Sequence, residues 1–267
     1  MLASRCLVAF ASTLSLSALA ACDAGGKNAD VSTPGPQLHI SSPRMDQTFP
    51  DAAKAEVLFD LREYEIGKVD DGKNGQHVHL IVDNLPYEAI YDVGKPIPLR
   101  DSSKAALAPG THVIRAFPSA GPKDKRGMLH HESWKNPEAF AWVRFNVVKA
   151  GGDLEGFDAN KPTLTYSRPK GDYKVGSPEL DRFMIDYWLT GTRLATHGNA
   201  VRATLDGKQV GDPKTGQPIV FTAWHSETIK SPVVGEHEML LELIDRDGKV
   251  VEGPFNATTR KFRVVEK

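Results

Sequence analysis

Cysteine is almost missing from this chain. Of 267 residues only Cys6 and Cys22 carry a thiol, and both lie near the N-terminus. No disulfide framework and no Cys-x-x-Cys redox or zinc motif is therefore available to the remainder, which must hold itself together by burial. An excess of basic charge is missing too. The 33 Lys and Arg residues are balanced by 34 Asp and Glu, for a formal net charge of −1, which leaves no basic surface for nucleic acid or an anionic bilayer. No stretch reaches the roughly 20 apolar residues of a membrane-spanning helix. Catalytic patterns are equally absent: there is no Gly-x-Ser-x-Gly elbow, no phosphate-cradling glycine loop, no His-Glu-x-x-His and no cysteine nucleophile. Glu63 and Glu65 pair on a polar strand face that solvation explains. The chain reads as a protein that is not an enzyme.

What is present at the N-terminus reads as an address. Arg5 supplies a positive start, Leu7 to Leu19 forms a short run of apolar and small residues, and Leu19-Ala-Ala-Cys22 closes it. The closing tetrad resembles the bacterial lipobox. That resemblance implies cleavage before Cys22, lipidation of its thiol and stable anchoring through acyl chains, each buried CH₂ contributing about 0.8 kcal/mol. Residues 1–21 are thus expected to be a lipoprotein signal peptide, and the protein to sit on a bacterial cell-envelope membrane. Loss of Arg5, the one charged residue of that segment, takes the net charge from −1 to −2. Residues 22–37, rich in Gly, Ser, Pro and Asp, read as a flexible tether.

From Leu38 onward short apolar runs alternate with turn residues. Strands are expected at Leu38–Ser41, Ala55–Tyr64, His77–Val82, Ile97–Leu99, His112–Phe117 and Ala141–Val148, separated by Asp71-Gly72, Asn74-Gly75, Pro109-Gly110 and Gly121-Pro122. No window of a dozen residues carries a helical period, so the class is all-β, as a sandwich or barrel. The pattern then repeats. Ser42-Pro43-Arg44 returns as Arg168-Pro169-Lys170 and Val57–Leu61 as Phe183–Tyr187, both 126 positions on. Gly75 to Asp83 returns as Gly198 to Asp206, Gly110-Thr-His as Gly235-Glu-His, and Val143–Val147 as Arg260–Val264. Two copies of one β-sandwich follow, at 38–149 and 163–267, joined through residues 150–162.

The order of these blocks, with polar hairpins such as Asp245-Arg-Asp-Gly248, resembles immunoglobulin/fibronectin III-type domains of bacterial envelope lipoproteins. The resemblance implies two tandem immunoglobulin-like sandwiches and no particular activity, since such domains host many unrelated functions.

Two stretches carry candidate chemistry. His77 and His79 alternate onto one strand face about 7 Å apart and suggest copper or zinc. Aligned with the second copy, Val78, Leu80 and Val82 fall over Val201, Ala203 and Leu205 and form the core face, so the histidines are expected on the outer face. His112 and His237 recur at one place in both copies, as expected of a strand-start histidine bonded to the adjacent turn. The second stretch, Pro118–Pro137, is longer than its counterpart and offers His130, His131, Glu132 and Trp134 as a binding loop. Trp134 and Leu129 would alternatively fold back to cap the core. Exposed Trp134, Trp224, Tyr87 and Tyr91 would suit sugar rings, with Trp142 and Trp188 assigned to core. The expected protein is a non-catalytic binding or scaffold module for an envelope protein or glycan, with a periplasmic copper- or zinc-binding protein as the alternative.

Overall fold

The computed structural model describes residues 35–67, 75–119, 133–212 and 214–267. Its strands fall into two sets of eight with the same order. The first set is β1 (Gln37–Ser42), β2 (Gln47–Phe49), β3 (Glu56–Arg62), β4 (Val78–Val82), β5 (Glu88–Ile90), β6 (Ile97–Pro98), β7 (Gly110–Pro118) and β8 (Ala141–Val147). The second is β9 (Thr163–Arg168), β10 (Gly171–Lys174), β11 (Met184–Thr190), β12 (Ala200–Leu205), β13 (Lys208–Gln209), β14 (Glu227–Thr228), β15 (Gly235–Ile244) and β16 (Ala257–Val265). A single helical turn, α1 (Pro178–Asp181), separates β10 from β11. Among the described residues no helix is long and apolar enough to cross a membrane.

Each set folds as a three-stranded sheet on a five-stranded one. The sheets run β1-β3-β6 and β2-β8-β7-β4-β5 in the first copy, and β9-β11-β14 and β10-β16-β15-β12-β13 in the second. In both, the chain leaves the small sheet at an X-Pro bond, Ser42-Pro43 or Arg168-Pro169, both cis, and joins the large sheet parallel to its last strand, β2 on β8 and β10 on β16. These are two immunoglobulin-like sandwiches in tandem.

The cores follow from alternation. Val57, Phe59, Val78, Leu80, Val82, Ile114, Val143 and Phe145 fill the first sandwich. Their counterparts Phe183, Ile185, Val201, Ala203, Met239, Phe262 and Val264 fill the second. Burying such side chains contributes about 1.5–3 kcal/mol each, enough to dispense with disulfides.

One polar device recurs beside these cores. Asp83 and Asp206 end β4 and β12 with φ near 49°, a left-handed conformation that Asp tolerates. Oδ1 of each accepts a backbone N–H, from Val113 or Glu238, and Oδ2 lies 2.7 Å from Nδ1 of His112 or His237. The other ring nitrogen of each histidine faces the carbonyl of Ala108 or Val233 at 2.8 Å. Both partners of each ring only accept, so both nitrogens must donate, and each imidazole is held as the cation. Burial opposes that charge, but the adjacent Asp83 or Asp206 outweighs it and raises both pKa values. The histidine-to-turn bond expected from the repeat is thus present, with a carboxylate as second partner.

The strands differ in how many faces they hide. Along β16 buried and exposed residues alternate, whereas β4 and β9 are buried throughout and β11 at every residue but the last. A strand buried on both faces is covered twice. The second cover is the other sandwich, and both belong to one compact unit.

Candidate binding site

The junction between the sandwiches is formed by the outer face of β4, β7 and β8 against the outer face of β9 and β11. His77 and His79 lie inside it, only 1% and 0% exposed. The histidines do lie on the outer face of their strand, as the alignment of the two copies indicates. That face points away from the first core, but the second sandwich covers it. His79 stacks on Tyr87 with ring centroids 3.7 Å apart and meets Phe117 edge-on. A consistent proton order runs along the pair: Ser167 Oγ donates to His79 Nδ1 (3.2 Å), His79 Nε2 to His77 Nε2 (3.1 Å), and His77 Nδ1 to the Gly75 carbonyl (2.7 Å). Each ring stays neutral in that order. Ser119 Oγ also lies 3.2 Å from His77 Nδ1. Among the described residues no set of three His, Cys, Asp or Glu side chains is placed to hold a metal.

Buried charge ties the sandwiches together. Arg115 of β7, 1% exposed, donates to Thr165 Oγ1 (2.9 Å) and the Asp83 carbonyl (2.5 Å), and its guanidinium lies 3.6 Å over the Phe255 ring. Burial, with Arg260 nearby, pulls its pKa down to about 9. Arg260 reaches back to the Asn84 and Leu85 carbonyls. Asp186 of β11 is fully buried and accepts from Lys135 Nζ and Ser226 Oγ, both at 2.8 Å, and from Ser133 Oγ. Burial favours its neutral form, yet the Lys135 ammonium and these hydrogen bonds hold its pKa below the usual carboxylate value. The segment from Ala150 to Lys161 is packed into the same junction: Phe157 and Ala159 cluster with Val113 and Phe255.

An aromatic groove opens along one side. Its volume is about 710 Å³, and Phe140, Trp142, Trp188 and Trp224 line it with Asn160 and Thr192. Trp188 stacks on Phe117 and Phe140 and takes the edge of Trp224 at 5.1 Å between centroids. Trp188 is buried as its strand position suggested, but between the sandwiches and not inside one. Trp142 is only half-buried and packs edge-on against Phe157. Thr190, on the groove wall, has a buried hydroxyl with no hydrogen-bond partner among the described residues. Polar groups beside aromatic rings are what a sugar-sized ligand requires.

No protein-family model matches the chain, and no curated protein matches it by sequence. Among solved structures it is similar to the fibronectin(III)-like modules of Clostridium thermocellum CbhA, at 14% identity over 86% of this chain and 95% of that one, with a TM-score of 0.28. It is also similar to SGBP-B of the Bacteroides ovatus mixed-linkage glucan utilization locus, solved in complex with a mixed-linkage heptasaccharide (12%, 86% and 71%, TM-score 0.22). The D0-D1 domain of intimin gives 12% identity, 85% and 97% coverage, and a TM-score of 0.25. Likenesses this weak carry no weight for function; the fold rests on the strand order.

Of the candidate loop, His130, His131 and Glu132 lie outside the described residues. Its ends bridge at Ser119 and Ser133. Trp134 joins the junction cluster around Phe117 and Trp188, and Pro137 forms part of the groove wall. Arg115, Lys135 and Asp186 were not singled out in the sequence, where nothing separates them from solvated charges.

Proposed function

We propose that this chain is a lipid-anchored protein of the bacterial cell envelope whose two sandwiches form a non-catalytic glycan-binding module. The observation that carries the reading is the groove of Phe140, Trp142, Trp188 and Trp224. The accessible faces of Trp142 and Trp224 bury the apolar faces of a sugar, while Asn160 and Thr192 supply the hydrogen bonds that select its hydroxyls. The buried junction behind the groove keeps its walls in place, so little ordering cost attends binding. The loop between Ser119 and Ser133 leaves and re-enters beside this aromatic cluster, which supports a part for it in ligand contact.

The experiment is titration of the soluble part with neutral gluco-, chito- and peptidoglycan-derived oligosaccharides, read by tryptophan fluorescence. One of these should saturate the wild type, and Trp142→Ala and Trp224→Ala should each weaken it at least tenfold. If no oligosaccharide binds while crosslinking in cells traps a single envelope protein, the partner is a protein. The lipid anchor rests on Leu19–Cys22; a Cys22→Ala protein should move from the membrane to the soluble fraction.

A further inference from the structure

A second opening lies at another edge of the junction, between β5 of the first sandwich and the β9–β10 turn of the second. Its volume is about 350 Å³, and its walls include Tyr87, Tyr91, Arg168, Lys170, Tyr173 and Lys174. Two of these cations are unusually placed. Arg168 is 8% exposed. One of its Nη atoms donates to the Tyr87 hydroxyl (2.9 Å), and its Nε is buried with no acceptor among the described residues. Half-buried Lys170 holds its Nζ 3.9 Å over the Tyr87 ring, whose other face is taken by His79. Neither cation has an ion-pair partner among the described residues. Nearby carboxylates are engaged elsewhere: Asp172 with Arg263 at 2.6 Å and Glu88 with Lys104 at 3.3 Å. Glu179 and a further cation, Lys174, also line the cleft.

Buried cations are ordinarily paired, because an isolated charge taken from water is costly. We infer that this cleft is an oxyanion site, in which a carboxylate or phosphate on a small ligand pairs with Lys170 and Arg168 beneath the tyrosines. In the free protein the cost of the missing charge falls on Lys170, since burial opposes the Arg168 cation but Tyr87, Tyr173 and Asp186 outweigh it and leave that pKa raised. Burial, with Arg168 and Lys104 nearby, pulls the Lys170 pKa down to about 8, against the weaker opposing pull of Glu88. A bound oxyanion favours the ammonium and must raise that value, so affinity must fall as pH climbs past about 8. The corresponding turn of the first sandwich lacks this arrangement: Arg44 is exposed there. The site stands independently of the glycan groove.

The test follows the Lys170 side chain by NMR in the whole soluble part, assigned with a Lys170→Met variant. Inorganic phosphate and glucuronate are the probes and glucose is the neutral control. Phosphate or glucuronate should saturate, shift the Lys170 titration midpoint upward, and lose at least tenfold in affinity in Lys170→Met. Saturation by only one of the two identifies the oxyanion. Melting of the variant reports that it folds, and Lys170→Arg should retain binding. The inference is overturned if neither anion moves the Lys170 signals, if glucose moves them equally, or if a folded Lys170→Met protein binds as the wild type does.

Discussion

Lys135 Nζ lies 2.8 Å from Asp186 Oδ1 across the junction, joining the end of the first sandwich's long loop to the middle of a buried strand of the second. Asp186 is wholly buried and the Lys135 side chain is only 18% exposed. The pair therefore differs from the exposed ones such as Arg62–Asp60, which contribute little. Removing one member leaves an uncompensated buried charge. Lys135→Ala should cost about 3 kcal/mol, measured by urea denaturation. The double variant Lys135→Met/Asp186→Leu should recover much of that loss.

Stability should have two pH limbs. The Asp186 and Asp206 pKa values are lowered in the fold, so their contribution is present above about pH 3.9, the unfolded value, and is lost as pH falls through the folded one. Those of His112 and His237 are raised, so theirs is complete below about pH 6.5 and is lost as pH rises through the folded value. Melting temperature should therefore peak between about pH 4 and 6.5. His112→Gln should cost about 1 kcal/mol at pH 6 and flatten the alkaline limb; an unchanged limb in a His112→Gln/His237→Gln protein would contradict this assignment.

Arg115→Ala removes donors from Thr165 and the Asp83 carbonyl and empties the space over Phe255. A loss of about 3 kcal/mol is expected. Hydrogen exchange should show the new exposure first in β7 and β9, which face each other there.

His77 and His79 offer a sharper test of the metal alternative. With their nitrogens ordered among Ser167, Gly75 and each other, adding zinc or copper should leave the melting temperature unchanged. His79→Ala should destabilise by about 2 kcal/mol through the lost contact with Tyr87 and the stranded Ser167 hydroxyl. A metal-dependent rise in melting, abolished in His77→Ala/His79→Ala, would restore the metal reading.

Strand positions and their inward faces were legible because alternation has period two, and only one face of Val78, Leu80 and Val82 is apolar enough to be core. The repeat added the pairing of Asp83 with Asp206 and of His112 with His237, since both copies solve one local problem with the same residues. The fate of the other face was not legible. Gln-His-Val-His reads alike whether water or a second sandwich covers it, because the covering residues, Ser167 and Trp188, lie about a hundred positions away. The same holds for Arg115, Lys135, Asp186 and Lys170. A charge in a polar alternation is ordinary until chain packing removes its water, and that removal depends on the whole fold.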